Sequence, residues 1–196
     1  MSTTVYCHLI LIYLFSVTVE TACSSSLAAL HYACLSIYNE DCESSIVGGS
    51  SLILTPTMTA AMSDNMILSP DGICKTFDAS ADGFGRGEAV NALYIKRLDA
   101  AIRDNDPIRA VICGSAANCD GRTASIASPS RESQVDLIRK AYKQAGIQDV
   151  HETAFFECHG TGTAVGDAVE ATAVAEVFGE KGIIIGSVSN EHCLFG

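Results

Sequence analysis

Cys23 and His159 are the residues whose types and settings could do chemistry. Cys23 lies in Thr21-Ala22-Cys23-Ser24-Ser25-Ser26, after the β-rich run Val17-Thr18-Val19 and before a long apolar segment. A thiol at such a strand-to-helix junction faces backbone N–H groups and the positive end of a helix dipole. Both favour the thiolate and lower a pKa that is about 8.5 in free cysteine. The same N–H groups can hold the oxyanion formed when a thioester carbonyl is attacked. His159 opens His159-Gly160-Thr161-Gly162-Thr163 directly after the strand-like stretch from Ala154 to Glu157. A histidine delivered at a strand end into a glycine/threonine loop is placed to donate a hydrogen bond or move a proton. Taken alone, the two residues also fit a Cys–His hydrolase, with Cys23 as nucleophile and His159 as base.

The elements that must position them follow from pattern. Ser24 to Tyr38 is apolar nearly all round, which predicts a helix buried on most sides, with the serines supplying N-cap oxygens. Residues 45–49 read as a core strand and 56–65 as a short helix. Residues 68–88 are rich in turn residues, and strands are expected at 90–95 and 110–113 around a helix near 98–103. Ser130 is placed to cap a helix that runs to about Ala145, with Val135, Ile138, Tyr142 and Ala145 on one face and Gly146 as its stop. A helix over 167–178 and a last buried strand over 183–188 complete an alternating pattern, and that alternation implies an α/β layered fold. His31 sits on the apolar helix as a core histidine, and His8 and His151 belong to no motif. The glycines at 83, 85 and 87 are followed by no Lys-Ser/Thr pair, so they do not form a phosphate loop.

The chain has 196 residues, 48% hydrophobic and 18% charged, and reads as globular. Its formal charge of −11 argues against nucleic acid or an anionic membrane as partner. Nine cysteines without a C-x-x-C pair count against a zinc site, and the odd number fits reduced thiols in the cytoplasm better than a disulfide framework. Residues 5–15 form an atypical apolar segment, too short for a membrane-spanning helix. It reads either as a buried strand or as the apolar region of a signal peptide that lacks a preceding Lys or Arg.

Three motifs in order carry a family resemblance. Val17-Thr18-Val19-Glu20-Thr21-Ala22-Cys23-Ser24-Ser25-Ser26-Leu27 closely resembles the active-site signature of β-ketoacyl synthases, especially those of polyketide synthases. Phe77-Asp78 with Ala81-Asp82-Gly83-Phe84-Gly85-Arg86-Gly87-Glu88 resembles the family's central loop. Glu157-Cys158-His159-Gly160-Thr161-Gly162-Thr163, with Gly166-Asp167 and Glu170, resembles its first histidine motif. The resemblance covers residues 16–188 and implies a thiolase-like α-β-α-β-α sandwich, here an incomplete one over 16–196, with 1–15 outside it.

What the resemblance implies is acyl transfer from an acyl carrier protein to Cys23, followed by decarboxylative Claisen condensation with a malonyl thioester, in polyketide or fatty-acid synthesis. It implies no bound cofactor, since the acyl groups ride on the carrier's phosphopantetheine, and no metal. The full family domain is a homodimer. His159 would donate a hydrogen bond to the developing enolate oxygen. Thr161 and Thr163 would either touch the phosphopantetheine arm or shape the loop, and Phe84 would wall the acyl channel.

The pattern breaks at the second histidine. Where the family reads approximately Gly-Ser-Val-Lys-x-Asn-x-Gly-His, this chain reads Gly186-Ser187-Val188-Ser189-Asn190-Glu191-His192, without the lysine and without the glycine. His192 is either the second catalytic histidine in a shortened loop or an unrelated residue. Glu170 matches the structural carboxylate that would pair with the missing lysine; if it stays buried without a partner it loses compensation worth several kcal/mol. A ketosynthase remnant acting only as a binding or assembly module is the non-enzymatic alternative.

Overall fold

The computed structural model describes residues 6–11, 16–125 and 128–188, the first of these segments by its backbone. They fall into two compact units: residues up to Ile53 together with Glu88–Ala117, and Leu54–Gly87 together with the residues from Asn118 onward.

In the first unit, strand β3 (Ser44–Ser51) alternates buried and half-buried residues, as one side of a sheet facing a core requires. It pairs antiparallel with β1 (Tyr6–Leu11) on one side and β4 (Ala89–Lys96) on the other, and β1 pairs with β2 (Ser16–Val19), giving the order β2-β1-β3-β4. The strand reading of the apolar N-terminal segment therefore holds over 6–11. Helix α1 (Ser25–Tyr38) lays Ala29 and Ala33 against Val19 and Val47, with Val17, Leu30 and Ile95 around them. The small alanines let the helix axis approach the sheet closely.

Two expectations fail in this unit. Helix α1 is buried along one face only, that of Ser25, Ala29, Ala33 and Ile37, while Leu27 and Tyr38 are 71% and 84% exposed. The sheet offers one surface, so a helix apolar all round can satisfy only one stripe of itself against it. Residues 110–113 form no strand either; Val111 and Ile112 are exposed, and a strand needs a ladder partner. The helix near Leu98 is present as α3 (Leu98–Arg103).

These features predict association. Strands β2 and β4 close the order at its two ends, and β4 carries exposed Val90, Leu93 and Tyr94 beside the apolar surface of α1. Edge strands with exposed apolar side chains template pairing with other chains. Expressed alone, the chain is expected to scatter light as oligomers or aggregates, and Val90→Lys with Leu93→Lys should reduce the scattering. A wild-type monomer with one cooperative melt would show the edges to be harmless.

The second unit holds α2 (Pro56–Asp64), α4 (Arg131–Gln144), α5 (Ala164–Phe178) and the parallel pair β5 (Phe156–Glu157) and β6 (Ile185–Gly186). Helix α4 starts as expected, with the Ser130 hydroxyl accepting the Ser133 N–H at 3.2 Å. Cys158, Val174 and Phe178 form the core, with Ile138, Tyr142 and Phe156 packed on it. The Tyr142 and Phe156 rings meet Phe178 edge-on at 6.1 and 5.8 Å between centroids. The last strand is shorter than expected. Only Ile185 and Gly186 pair, with Phe156 and Glu157, and Ile184 is exposed.

Candidate functional site

Cys23 lies in a short 3-10 turn, Ala22–Ser24, between β2 and α1, and is exposed. The residue before it, Ala22, has φ +54°, a left-handed conformation that costs a non-glycine residue roughly 1 kcal/mol. A side-chain network holds that strain. The fully buried Ser25 hydroxyl accepts the Thr21 N–H at 2.9 Å and donates to the Ala22 carbonyl at 2.7 Å. Ser24 Oγ donates to the Thr21 carbonyl at 2.8 Å. The serines thus tie the turn that presents the thiol; they do not cap α1, contrary to the sequence reading. Helix propensity locates a cap, but the turn inserted before α1 moves these hydroxyls onto carbonyls one turn earlier. The Ser24 N–H closes the same turn onto Thr21 at 3.3 Å.

The other expected site residues belong to the second unit. His159 follows β5 and is exposed; its backbone N–H donates to Glu170 Oε1 at 2.6 Å, and the Gly160 N–H donates to Oε2 at 2.9 Å. This corrects the expectation for Glu170. Without the lysine, the half-buried carboxylate is compensated by two backbone amides, which can stabilise a carboxylate as a cation would. One helical turn earlier on α5, the buried Asp167 does the same for two separate loops. It accepts the Phe77 N–H at 2.7 Å and the Gly162 N–H at 3.1 Å.

Thr161 and Thr163 turn their hydroxyls toward each other at 3.0 Å, which favours a loop-shaping role for both. Phe84 is half-buried, and its backbone is held by Ile67 and Ser69. The central loop around it is locked to the histidine loop by the Gly83 N–H, which donates to the Gly162 carbonyl at 3.0 Å. A charge cluster shapes the loop itself: Lys75 lies 2.7 Å from Asp82 and 3.0 Å from Asp71. The Ser69 hydroxyl, and then Lys75, hold the Asp71 carboxyl down to about 2 from an ordinary 3.8. His192 lies outside the described residues. Sequence reasoning gave no site role to Thr76 or Ser187, took Ser25 as one of the capping serines, and named Asp167 in the histidine motif without its partners. Asp167 was visible as a carboxylate one helical turn before Glu170, but its partners come from loops far apart in sequence.

The thiols differ enough for a labelling prediction. Cys23, Cys34, Cys42, Cys74, Cys113, Cys119 and Cys158 form no disulfide among the described residues. Burial, and then the charges of Glu170, Glu157 and Asp167, push the Cys158 thiol up to about 12. Burial also raises Cys34, and burial with Asp41 raises Cys42. Since the thiolate is the nucleophile, iodoacetamide at neutral pH should label Cys23 first, with Cys34, Cys42 and Cys158 last. Peptide mass spectrometry over a time course reads the order; labelling spread evenly over the cysteines would show that the turn at Cys23 gives no activation.

The motifs, their order and the loops they form define a condensing-enzyme class, and comparison with known proteins specifies it. Residues 15–101 match the model of the β-ketoacyl synthase N-terminal domain and residues 109–192 that of its C-terminal domain. The chain belongs to the β-ketoacyl synthase family.

Among similar proteins, it is 60% identical over 173 residues to highly reducing polyketide synthase g433 of a Fusarium species, covering 88% of this chain and 7% of that protein. It is 62% identical over 173 residues to VdtX, a highly reducing polyketide synthase of Byssochlamys spectabilis, covering 88% of this chain and 8% of that protein. Its structure is similar to the ketosynthase from module 6 of the bacillaene synthase of Bacillus subtilis 168, at TM-score 0.84 and 44% identity over 89% of this chain and 33% of that one. The oxazolomycin ketosynthase domain OzmH KS7 of Streptomyces albus JA3453 gives TM-score 0.82 at 35% identity, over 87% of this chain and 31% of that one. The thiolase-like α/β fold expected from the motifs is thus the fold of the chain, as a part of it. The chain spans less than a tenth of these polyketide synthases and about a third of these ketosynthase structures. No described helix is long and apolar enough to cross a membrane.

Proposed function

We propose that this chain is the nucleophile-bearing part of a polyketide ketosynthase, residues 16–196 being the ketosynthase portion, and that its own chemistry is acyl transfer to Cys23. The observation that carries the reading is the exposed thiol on a strained turn at the head of α1, held there by Ser25. Strain of this kind persists only where neighbouring contacts over-determine it, and it is concentrated at functional sites.

In this reading the Cys23 thiolate attacks the carbonyl of an acyl group held as a thioester on the phosphopantetheine arm of an acyl carrier protein. The carbon–sulfur bond of the carrier breaks, its sulfur leaves as thiolate and takes up a proton, and the acyl group stays on Cys23. In a complete domain a malonyl thioester then loses CO2, and the electron pair left behind forms an enolate whose oxygen accepts a hydrogen bond from His159. The carbanion attacks the acyl-cysteine carbonyl and expels the Cys23 thiolate. Thr161, Thr163 and Phe84 border the path of the arm and the acyl chain, and His192 is the candidate for the second histidine. That the similar proteins are polyketide synthases supports polyketide rather than fatty-acid synthesis as the pathway; the cytoplasm as compartment and a homodimer of the complete domain are part of the same reading.

Incubating the chain with an acyl carrier-protein thioester and mapping the adduct by mass spectrometry tests the proposal. One acyl group on the Cys23 peptide is expected, and none in Cys23→Ala. An adduct on another cysteine, or none at all, would leave the non-catalytic remnant as the better description.

A further inference from the structure

Residues 74–84, the start of the central loop and the segment leading into it, are fastened to the histidine loop through Thr76 and Gly83. We infer that Thr76 is a positioning residue for His159, an inference that rests on the catalytic reading of that histidine. Thr76 is buried, and its hydroxyl donates to the Gly160 carbonyl at 2.5 Å. From the other side the Ser187 hydroxyl reaches the His159 carbonyl at 3.2 Å and the Gly160 carbonyl at 3.4 Å. The two side chains enclose the peptide so tightly that a Cβ built on Gly160 would lie 2.5 Å from Thr76 Cγ2 and 2.5 Å from Ser187 Cβ.

The N–H side of the same segment is held by Glu170, so donors and acceptors on both flanks of His159 are taken. Of these contacts, the one from Thr76 is the most deeply buried and ties the segment to a different loop. The adjacent Phe77 holds a left-handed φ of +58° while its N–H reaches Asp167, which fixes where the Thr76 hydroxyl can point. A buried hydroxyl–carbonyl bond of this kind acts through the backbone: without it the carbonyl of Gly160 keeps only the longer contact from Ser187, and the backbone that carries the imidazole loses its most deeply buried anchor.

The experiment is amide hydrogen exchange, read residue by residue on the full chain. Thr76→Val keeps the volume and removes the donor; Thr76→Ser keeps the donor. Thr76→Val is expected to speed exchange at Gly160 and Gly162 by about tenfold, the scale of one lost buried bond, while Thr76→Ser stays within about twofold of wild type and the amides of α4 and α5 do not change. Unchanged exchange in Thr76→Val, equal acceleration in Thr76→Ser, or acceleration spread evenly over α4 and α5 would each overturn the positioning role. Acylation of Cys23, measured on the same samples, separates the two readings. If it persists while Gly160 fails to respond, the positioning role falls and the proposed function stands; if Gly160 responds as expected but wild type is never acylated, the reverse holds.

Discussion

Supplied with both acyl and malonyl carrier-protein thioesters, the chain is expected to load Cys23 and to form no detectable β-ketoacyl product. Loading needs a thiolate on a presented turn, and the structure supplies the turn. Condensation also needs a second hydrogen-bond donor beside the enolate, and the proposed candidate for it is His192. The stretch leading to it departs from the family at the lysine and at the glycine before the histidine. A reacting group displaced by about 1 Å can cost on the order of a hundredfold in rate, which is the ground for expecting loading without condensation. The measurement is product formation by mass spectrometry, with His192→Ala as comparison. Product at a rate that collapses in His192→Ala would overturn the expectation and establish His192 as the second catalytic histidine.

Replacing Gly162 by alanine is expected to destabilise the second unit by about 3 kcal/mol, combining left-handed strain with overpacking. Gly162 has φ +74°, and a Cβ there would lie 2.7 Å from the Lys75 nitrogen and 3.0 Å from the Gly83 carbonyl oxygen. Both are backbone atoms of the central loop, so neither can swing aside as the end of a side chain would. The carbonyl of Gly162 accepts the Gly83 N–H and its own N–H donates to Asp167, and a shift that relieves the clash breaks both bonds. Gly146→Ala is the control. That glycine has φ +72° but no atom within 4 Å of its would-be Cβ, so only the conformational cost applies, about 1 kcal/mol. Urea unfolding of the two variants reads the difference, and equal losses would mean that the two loops do not meet as described.

The sequence alone determined most of what is periodic or punctuated. Helix α4 was legible from Ser130, its apolar stripe and Gly146, because a cap, a 3.6-residue repeat and a left-handed stop are local properties. The order of the three motifs located Cys23 and His159 and implied the family, since residue identity at fixed spacing needs no coordinates to be recognised. The N-terminal apolar run was legible as a strand only as one of two readings, and over 6–11 it pairs with β3. The tertiary structure alone decided who answers whom. Glu170 was expected to lack its cation and instead holds the His159 and Gly160 amides; Ser25 was expected to cap a helix and instead secures the turn at Cys23. Residues 110–113 have strand composition but no strand, and α1 is apolar on faces that stay exposed. In each case the missing information was the partner. A side chain's chemistry states which bonds it can make, but the donor, acceptor or apolar surface that meets it is brought there by residues tens of positions away.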